Sequence, residues 1–333
     1  MGYRIASFNM KNLSLSTERD LDRIAAIIKD NQFDIVAMQE VLSEGRALSG
    51  IRLKDKRMQH SALERSLIGR LGKNWEVYWD DPKTSSKYYP YLGEDKRGEG
   101  YAFLWNSQKF ELLKDAAGKT IYPRIFRDYK TDFGEGSLRL IRDPLYGRFK
   151  LKGTKVELRL ITTHIISSKP DKMTKSFEGG AYSLRKHEFD ILAGSIYSRI
   201  SDDRKDVNIT VPYTLILGDY NLNLKSSGVG LAQINEVAYY APGGRPLSVW
   251  QPECRIIHTI QEKRTTIGDG DYANNFDHFS FDDRVYSLVT GSDAIDAVHQ
   301  HVKSEDTTEE DKYNRFKTEV SDHIPIVIEL NFR

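Results

Sequence analysis

The stretch that decides the fold is residues 3–40, YRIASFNMKNLSLSTERDLDRIAAIIKDNQFDIVAMQE. Its opening, YRIASF (3–8), alternates and is rich in β-branched and aromatic side chains, as a strand does. STERDLDRIAAIIKD (16–30) places Leu21, Ile24, Ala25 and Ile28 on one stripe at helical spacing. Thr17 with Asp20 forms a capping-box pattern ahead of that stripe. FDIVAMQE (33–40) is a second, more apolar strand. Strand, helix and strand with short joins predict a βαβ unit.

The same two periods recur along the chain. HSALERSLIGRL (60–71) and AYSLRKHEFDILAGSIYSRI (181–200) have helical apolar spacing. YAFLW (101–105), VELRLITTHI (156–165), YTLILGDYN (213–221), FDHFSF (276–281), VYSLVT (285–290) and IPIVIEL (324–330) are the remaining predicted strands. Strands outnumber helices and the two are interspersed, which predicts an α/β sandwich with mixed sheets. The most charged segment, VKSEDTTEEDKYNRFKTE (302–319), reads as a solvated helix or surface insertion. There is no internal repeat and no composition break, so residues 1–333 are expected to form a single domain.

Composition is that of a globular protein with a sizeable core: 39% hydrophobic and 29% charged residues. Lys plus Arg number 49 against 48 acids, a net charge of +1, so a polyanionic partner would have to meet a local basic patch rather than a basic body. The lone cysteine, Cys254, leaves no intrachain disulfide and suits a reducing compartment. No window approaches eighteen apolar residues and the N-terminus lacks the apolar core of a signal peptide, so the expected location is cytoplasmic, with no membrane span.

Polar groups gather where predicted strands end. Asn9 ends the first strand and Glu40 the second; His164 lies near the end of the strand from 156; Asp219 and Asn221 close the strand from 213; Asp322 and His323 precede the last. Strand ends are where α/β folds place sites. Each residue alone has an ordinary structural explanation, and GDYN by composition is a plain turn. As a set they carry chemistry. Asp219 and Asn221, two apart in extended chain, share a face. A carboxylate beside an amide, with Glu40 as a further oxygen, suits a hard cation such as Mg²⁺ or a phosphoryl oxygen. Two histidines then take roles, one receiving a proton from water and the other facing charge developing at phosphorus. Each imidazole needs an orienting acid, and Glu99 and Asp277 are available. HExxH, CxxC, GxSxG and the P-loop pattern are all absent from the sequence.

Eight short motifs in order along nearly the whole chain complete the picture: SFNMKN (7–12), MQE (38–40), RGEGYAFLW (97–105), IRDPLYGRF (141–149), TTHI (162–165), GDYN (218–221), NFDHF (275–279) and SDHIP (321–325). The chain resembles the endonuclease/exonuclease/phosphatase superfamily, and within it the pancreatic-type deoxyribonucleases. That resemblance implies a four-layer α/β/β/α sandwich of two packed mixed β-sheets flanked by helices. It also implies hydrolysis of a phosphate ester dependent on Mg²⁺, with Mn²⁺ as a substitute. Carried over by position, Glu40 is the principal metal ligand, with Asn9 and Asp322 assisting. Asp219 and Asn221 orient the nucleophilic water and the scissile phosphate. His323 resembles the general base, partnered by Asp277. His164 resembles the general acid or transition-state stabiliser, backed by Glu99. Arg142 resembles a phosphate-contacting arginine, and Tyr101 matches an aromatic position that core packing explains equally well. Whether the histidine or the GDYN aspartate deprotonates the water is left open.

Around Asp277 the flanks are Phe276 and His278, unlike the Trp-Arg-x-Asp-Tyr pattern of abasic-site enzymes or the Cys-Asp-Arg of phosphoinositide phosphatases. The Arg142-Asp143-Pro144 stretch is most like the deoxyribonuclease branch. The expected activity is a nuclease acting on DNA with low sequence specificity. The alternative is a phosphatase or phosphodiesterase on a lipid headgroup or small phosphorylated metabolite, and an inactive scaffold ranks last. Surface insertions are expected near 43–98, 223–270 and 295–319. The first holds YYPYLGEDKRGEG (88–100), read either as a base-stacking platform or as packed surface aromatics; the loop SSKPDKMTK (167–175) is read either as phosphate-tracking or as merely solvated.

Overall fold

The computed structural model describes residues 2–14, 19–42, 66–80, 99–126, 130–133, 136–140, 142–165, 185, 188–202, 210–225, 230–233, 238–240, 246–249, 256–261, 263–302 and 308–332. Of these, 130–133, 136–139, 202, 224–225, 230–233, 238–240, 246–249 and 260 are described in backbone only. The aromatics of 88–98, the lysine loop 167–175 and Thr17 lie outside the described residues.

Two mixed sheets form the frame. The first runs, in spatial order, Val289–Ala294, Ile326–Leu330, Tyr3–Leu13, Ile35–Leu42, Glu99–Asn106 and Trp75–Asp80. Its one parallel pair is Tyr3–Leu13 with Ile35–Leu42, the two strands of the βαβ unit. The second runs Gly230–Gln233, Ile257–Ile260, Asp277–Phe281, Val211–Asp219, Val156–His164, Leu145–Leu151 and Phe110–Leu112, with Arg124–Ile125 also paired to Leu145–Leu151. Its parallel pair is Val156–His164 with Val211–Asp219.

The sheets pack face to face. Tyr3–Leu13 and Ile35–Leu42 lie against Val211–Asp219, and Ile35–Leu42 also against Val156–His164. Leu158, Leu160, Leu215 and Leu217 point into the shared core, while Ile161 and Ile216, one residue out of phase, point outward against Ile191, Leu192 and Ile196. Burial on both faces is why LILG reads as a continuous apolar run rather than an alternating one. Phe103 and Trp105 of the first sheet meet Phe149 of the second edge-on, with ring centroids 5.3 and 5.5 Å apart.

Helix boundaries differ from the sequence reading for local reasons. The first helix spans Leu21–Asp30, and Asp20 itself is its cap, accepting from the Arg23 N–H at 2.9 Å. Only 66–71 of the expected helix 60–71 is described, ending with Ile68–Leu71. In the long helix, Ile191–Tyr197 winds as wide π turns before Ser198–Asp202 resumes α geometry. The strand expected at 285–290 is corrected in its first half: Asp282 accepts from the N–H groups of Arg284 and Val285, starting a helical turn at Asp283–Tyr286, and the strand begins only at Val289. The charged segment is a helix, Glu309–Glu319, with a capping box between Thr308 and Asp311. The insertion expected at 43–98 contains an edge strand, Trp75–Asp80, whose Trp79 is buried and donates from Nε1 to the Val41 carbonyl at 3.0 Å. Likewise Ile257–Ile260, inside the expected insertion 223–270, belongs to the second sheet. No helix among the described residues is long and apolar enough to cross a membrane.

Candidate functional site

The site lies where both parallel pairs end. Register sets it up in the second sheet: His164 stands opposite Asp219, and Asp219 opposite Asp277. In the first sheet Asn9 pairs with Gln39 at the corresponding point. Beyond these pairs the ladders break. Gln39 and Glu40 together face Tyr101, a bulge that turns Glu40 out of the pleat. Glu40 sits at φ 54°, Lys11 at 41°, Asn12 at 63° and Asn221 at 50°, left-handed conformations that non-glycine residues hold only where their surroundings impose them.

Gly218 explains why GDYN begins with glycine. It is still paired in the sheet, with Thr163 and His278, but its φ is 146°. A Cβ there would stand 2.0 Å from the Thr163 carbonyl oxygen. Asp219 is thereby delivered to the sheet edge. The expectation that Asp219 and Asn221 share a strand face is corrected, because the strand stops at Asp219 and Asn221 turns left-handed. Instead the Asn221 N–H donates to Asp219 Oδ1 at 2.8 Å, and its side-chain amide donates to the Ile165 carbonyl at 2.8 Å.

Asp219 Oδ2 is the hub. His164 Nε2 and His323 Nε2 each lie 3.6 Å from it, and the Asn9 amide donates to it at 3.1 Å. The same amide donates to Glu40 Oε1 at 3.0 Å, so Asn9 bridges two carboxylates, while its own oxygen accepts from the Lys11 N–H. His323 Nδ1 is 2.8 Å from Asp277 Oδ2, and His164 Nδ1 is 3.3 Å from Glu99 Oε2. Each imidazole is therefore backed by an acid and turns Nε2 to the shared carboxylate.

Burial and these neighbours set the charges. Burial alone would depress both histidines, but flanking carboxylates outweigh it: Asp277 and Asp219 hold His323 up at about 10, and Glu99 and Asp219 raise His164 against the opposing charge of Arg142. Burial pushes Asp219 up, with Asp277 adding to the effect. Glu99 is held at about 2 despite its burial, because Arg142 and His164 both favour its charged form.

Arg142 Nε pairs with Glu99 Oε2 at 2.6 Å and braces the acid behind His164; among the described residues its buried Nη1 has no hydrogen-bond partner. Tyr101 is 1% exposed and its hydroxyl accepts from the His164 N–H at 3.2 Å, a core position that also steadies His164. Asp322 pairs with Lys11, Nζ to Oδ2 3.1 Å.

Several supports were not foreseen in the sequence. Gln39 donates to Ser7 Oγ and Thr162 Oγ1, tying the sheets together beneath the site. The Ser321 hydroxyl donates to the Asn9 carbonyl and accepts from the His323 N–H. Thr265 Oγ1 accepts from the Phe276 and Asp277 N–H groups, and its carbonyl accepts from Ile324 N–H. Gln39 and Ser321 sit inside quoted motifs, but buried hydroxyls and amides have no sequence mark separating them from surface ones.

Among the described residues, no cluster of three or more His, Cys, Asp or Glu forms a ready-made metal cage. The donor chemistry nonetheless suits Mg²⁺, which takes one or two carboxylates and keeps its waters. Glu40 offers such an oxygen donor, its side chain 16% exposed at the mouth of the site.

Residues 6–323 match the model of the Endonuclease/Exonuclease/phosphatase family. Among solved structures, a protein of that family from Leptotrichia buccalis has a TM-score of 0.53 at 16% identity, covering 99% of this chain and 100% of the other. One from Bacteroides thetaiotaomicron has a TM-score of 0.53 at 15% identity, covering 99% and 98%. ANGEL2, a 2′,3′-cyclic phosphatase in complex with adenosine-2′,3′-vanadate, has a TM-score of 0.52 at 14% identity, covering 100% and 96%. No curated protein matches the sequence.

Proposed function

Because the chain belongs to the endonuclease/exonuclease/phosphatase family of phosphoesterases, we propose that it is a metal-dependent phosphodiester hydrolase acting on nucleic acid, DNA in the first instance, with little sequence preference. The observation that carries the reading is Asp219 Oδ2 with two acid-backed imidazoles, each 3.6 Å away on either side. A water held there meets a carboxylate and an imidazole at once, and a phosphoryl oxygen beside it meets the second imidazole.

In this reading Asp219 takes the water's proton, with the His323 imidazolium beside it. Asp277 accepts from His323 Nδ1 and fixes the ring so that Nε2 is the atom turned to the site. His164 faces the phosphoryl group, held by Glu99 and by its backbone bond to Tyr101. Asn221 contributes beside the water, and Asn9 keeps Glu40 and Asp219 at a fixed spacing. Glu40 would hold the Mg²⁺ or Mn²⁺, which when bound offsets charge on the phosphoryl oxygens.

A second reading, a small phosphate monoester or cyclic phosphate as substrate, is favoured by one feature. Arg142, the residue most like the deoxyribonuclease branch, has its Nε paired with Glu99 at 2.6 Å, which draws the guanidinium inward behind His164. A panel of plasmid DNA, single-stranded DNA, RNA, a 2′,3′-cyclic nucleotide and a sugar phosphate, each with Mg²⁺ and with EDTA, separates the two. Metal-dependent nicking of plasmid is the expected result. Turnover of the small esters with no cleavage of any polynucleotide overturns the nuclease reading.

A further inference from the structure

The turn after Asp219 is held by two buried side chains that the hydrolytic reading leaves unused. Asn221 stands at φ 50°, and a residue with a Cβ keeps that left-handed conformation only where its surroundings fix it. Two of its groups are satisfied close by. Its N–H donates to Asp219 Oδ1 at 2.8 Å, and its side-chain amide donates to the Ile165 carbonyl at 2.8 Å. Its carbonyl is captured from another layer, by Arg185 near the start of the long helix, whose Nη1 donates at 3.0 Å. The next carbonyl along the chain, that of Leu222, lies 3.1 Å from His278 Nε2.

Arg185 and His278 are both buried, so neither donor can exchange its carbonyl for water at little cost. Among the described residues the His278 ring bonds only to carbonyl oxygens. Nε2 is also 2.8 Å from the Asn275 carbonyl, and Nδ1 is 3.2 Å from that of Thr259. The shorter contacts place an N–H on Nε2, shared between Leu222 and Asn275. His278 follows Asp277 along one strand, so their side chains take opposite faces. Asp277 backs His323 on the side of the site, while His278 grips the chain just beyond Asn221 from the other. Tyr220 is anchored on that side as well, its hydroxyl 2.9 Å from Ser280 Oγ. Two consecutive carbonyls, each tied to a different layer, leave the turn one conformation.

We propose that Arg185 and His278 are positioning residues for Asn221, fixing the left-handed turn that sets its side chain beside the attacking water. This rests on the reading above, in which Asn221 acts beside that water. Both residues work through backbone carbonyls and not through the substrate. Losing either donor therefore lowers the rate of the chemical step and leaves substrate binding alone.

The test is a pair of double-mutant cycles against Asn221 in the full-length protein, read as kcat and KM on bis(p-nitrophenyl) phosphate and as nicking of plasmid DNA, both with Mg²⁺. R185M and H278F keep bulk and lose the donor. Each should lower kcat by about 10–100-fold with KM within about twofold of wild type. R185K and H278Q, which keep a donor, should recover most of that loss. In an N221A background R185M and H278F should cost less than about twofold more, because the group they position is gone. Far-UV circular dichroism checks folding, and R185K and H278Q enter the cycles where R185M or H278F does not fold. Equal losses in the N221A and wild-type backgrounds, or wild-type rates in folded R185M and H278F, overturn the positioning role alone. A wild-type rate in N221A removes Asn221 from the reaction and this assignment with it. No hydrolysis of either diester by wild type overturns the phosphodiester reading as well.

Discussion

Gly218→Ala tests the device that delivers Asp219. At φ 146° an alanine is in a region open essentially only to glycine, a strain of about 1–3 kcal/mol. The new Cβ would stand 2.0 Å from the Thr163 carbonyl oxygen, and the atom it meets is backbone in a central parallel pair, so no flexible side chain can yield. Overpacking of that kind adds about 1–3 kcal/mol. The expected loss is therefore about 2–6 kcal/mol in urea unfolding followed by circular dichroism. Gly153→Ala is the control. Its φ is 74° but nothing lies within 4 Å of the added Cβ. There left-handed strain of about 1–2 kcal/mol is partly offset by the stiffer unfolded chain, leaving a net cost near 1 kcal/mol. Relief of the Gly218 clash also shifts the next residue, Asp219, by a fraction of its 3.6 Å spacing to both histidines, and a misplacement of about 1 Å costs about 10²-fold in rate. Equal midpoints for the two variants would refute the steric reasoning.

Three further outcomes are expected. His164→Ala and His323→Ala should each lower kcat on the true phosphate ester by about 10²–10⁴-fold while leaving the fold intact by circular dichroism, and wild-type rates in both would remove them from the chemistry. Buried Glu157 accepts from Arg148 Nε at 2.7 Å and Arg159 Nε at 2.8 Å, and those bonds overcome its burial to hold its carboxyl below the ordinary 4.5. A depressed folded value means its contribution is full above pH 4.5 and lost as pH falls through the folded value, so Glu157→Gln should flatten the acid limb of a melting-temperature profile. Burial lowers His299, but its bonds to Asp296 at 2.7 Å and Glu309 at 2.8 Å together outweigh that and raise it above 6.5; its contribution is present below that pH and fades as pH rises through the folded value. A His299→Gln variant should match wild type in alkaline melts and fall below it in mildly acidic ones, and parallel profiles would refute the pairing.

Much of the frame was legible because it rests on local period. The strand at YTLILGD, the apolar stripe of the first helix and the solvated charged helix all follow from composition and spacing alone. The elements that were misread follow from local competition or from pairing. Asp282 captures two N–H groups and converts a strand pattern into a helical turn. Trp75–Asp80 became a strand because Glu99–Asn106 offered it an edge, a fact about a partner more than twenty residues away. At the site, motif order marked the residues that converge on Asp219. It gave Arg142 and Asp322 expected partners outside the protein, whereas the fold pairs both internally.

By itself the sequence determined the first strand-helix-strand unit, the apolar stripe of its helix, where most of the strands lie, and which acids, amides and histidines end them. Those properties depend on side-chain chemistry and on periods of two and 3.6 residues, which any stretch of chain carries with it. Only the tertiary structure decided that Asp219 stands equally far from two histidines, that Asn9 bridges two carboxylates, and that a lysine in a left-handed turn neutralises Asp322. These are distances between groups that include Lys11 and Asp322, at opposite ends of the chain, set by sheet register, by one bulge at Glu40 and by a glycine pressed against a neighbouring carbonyl, and no local pattern encodes them.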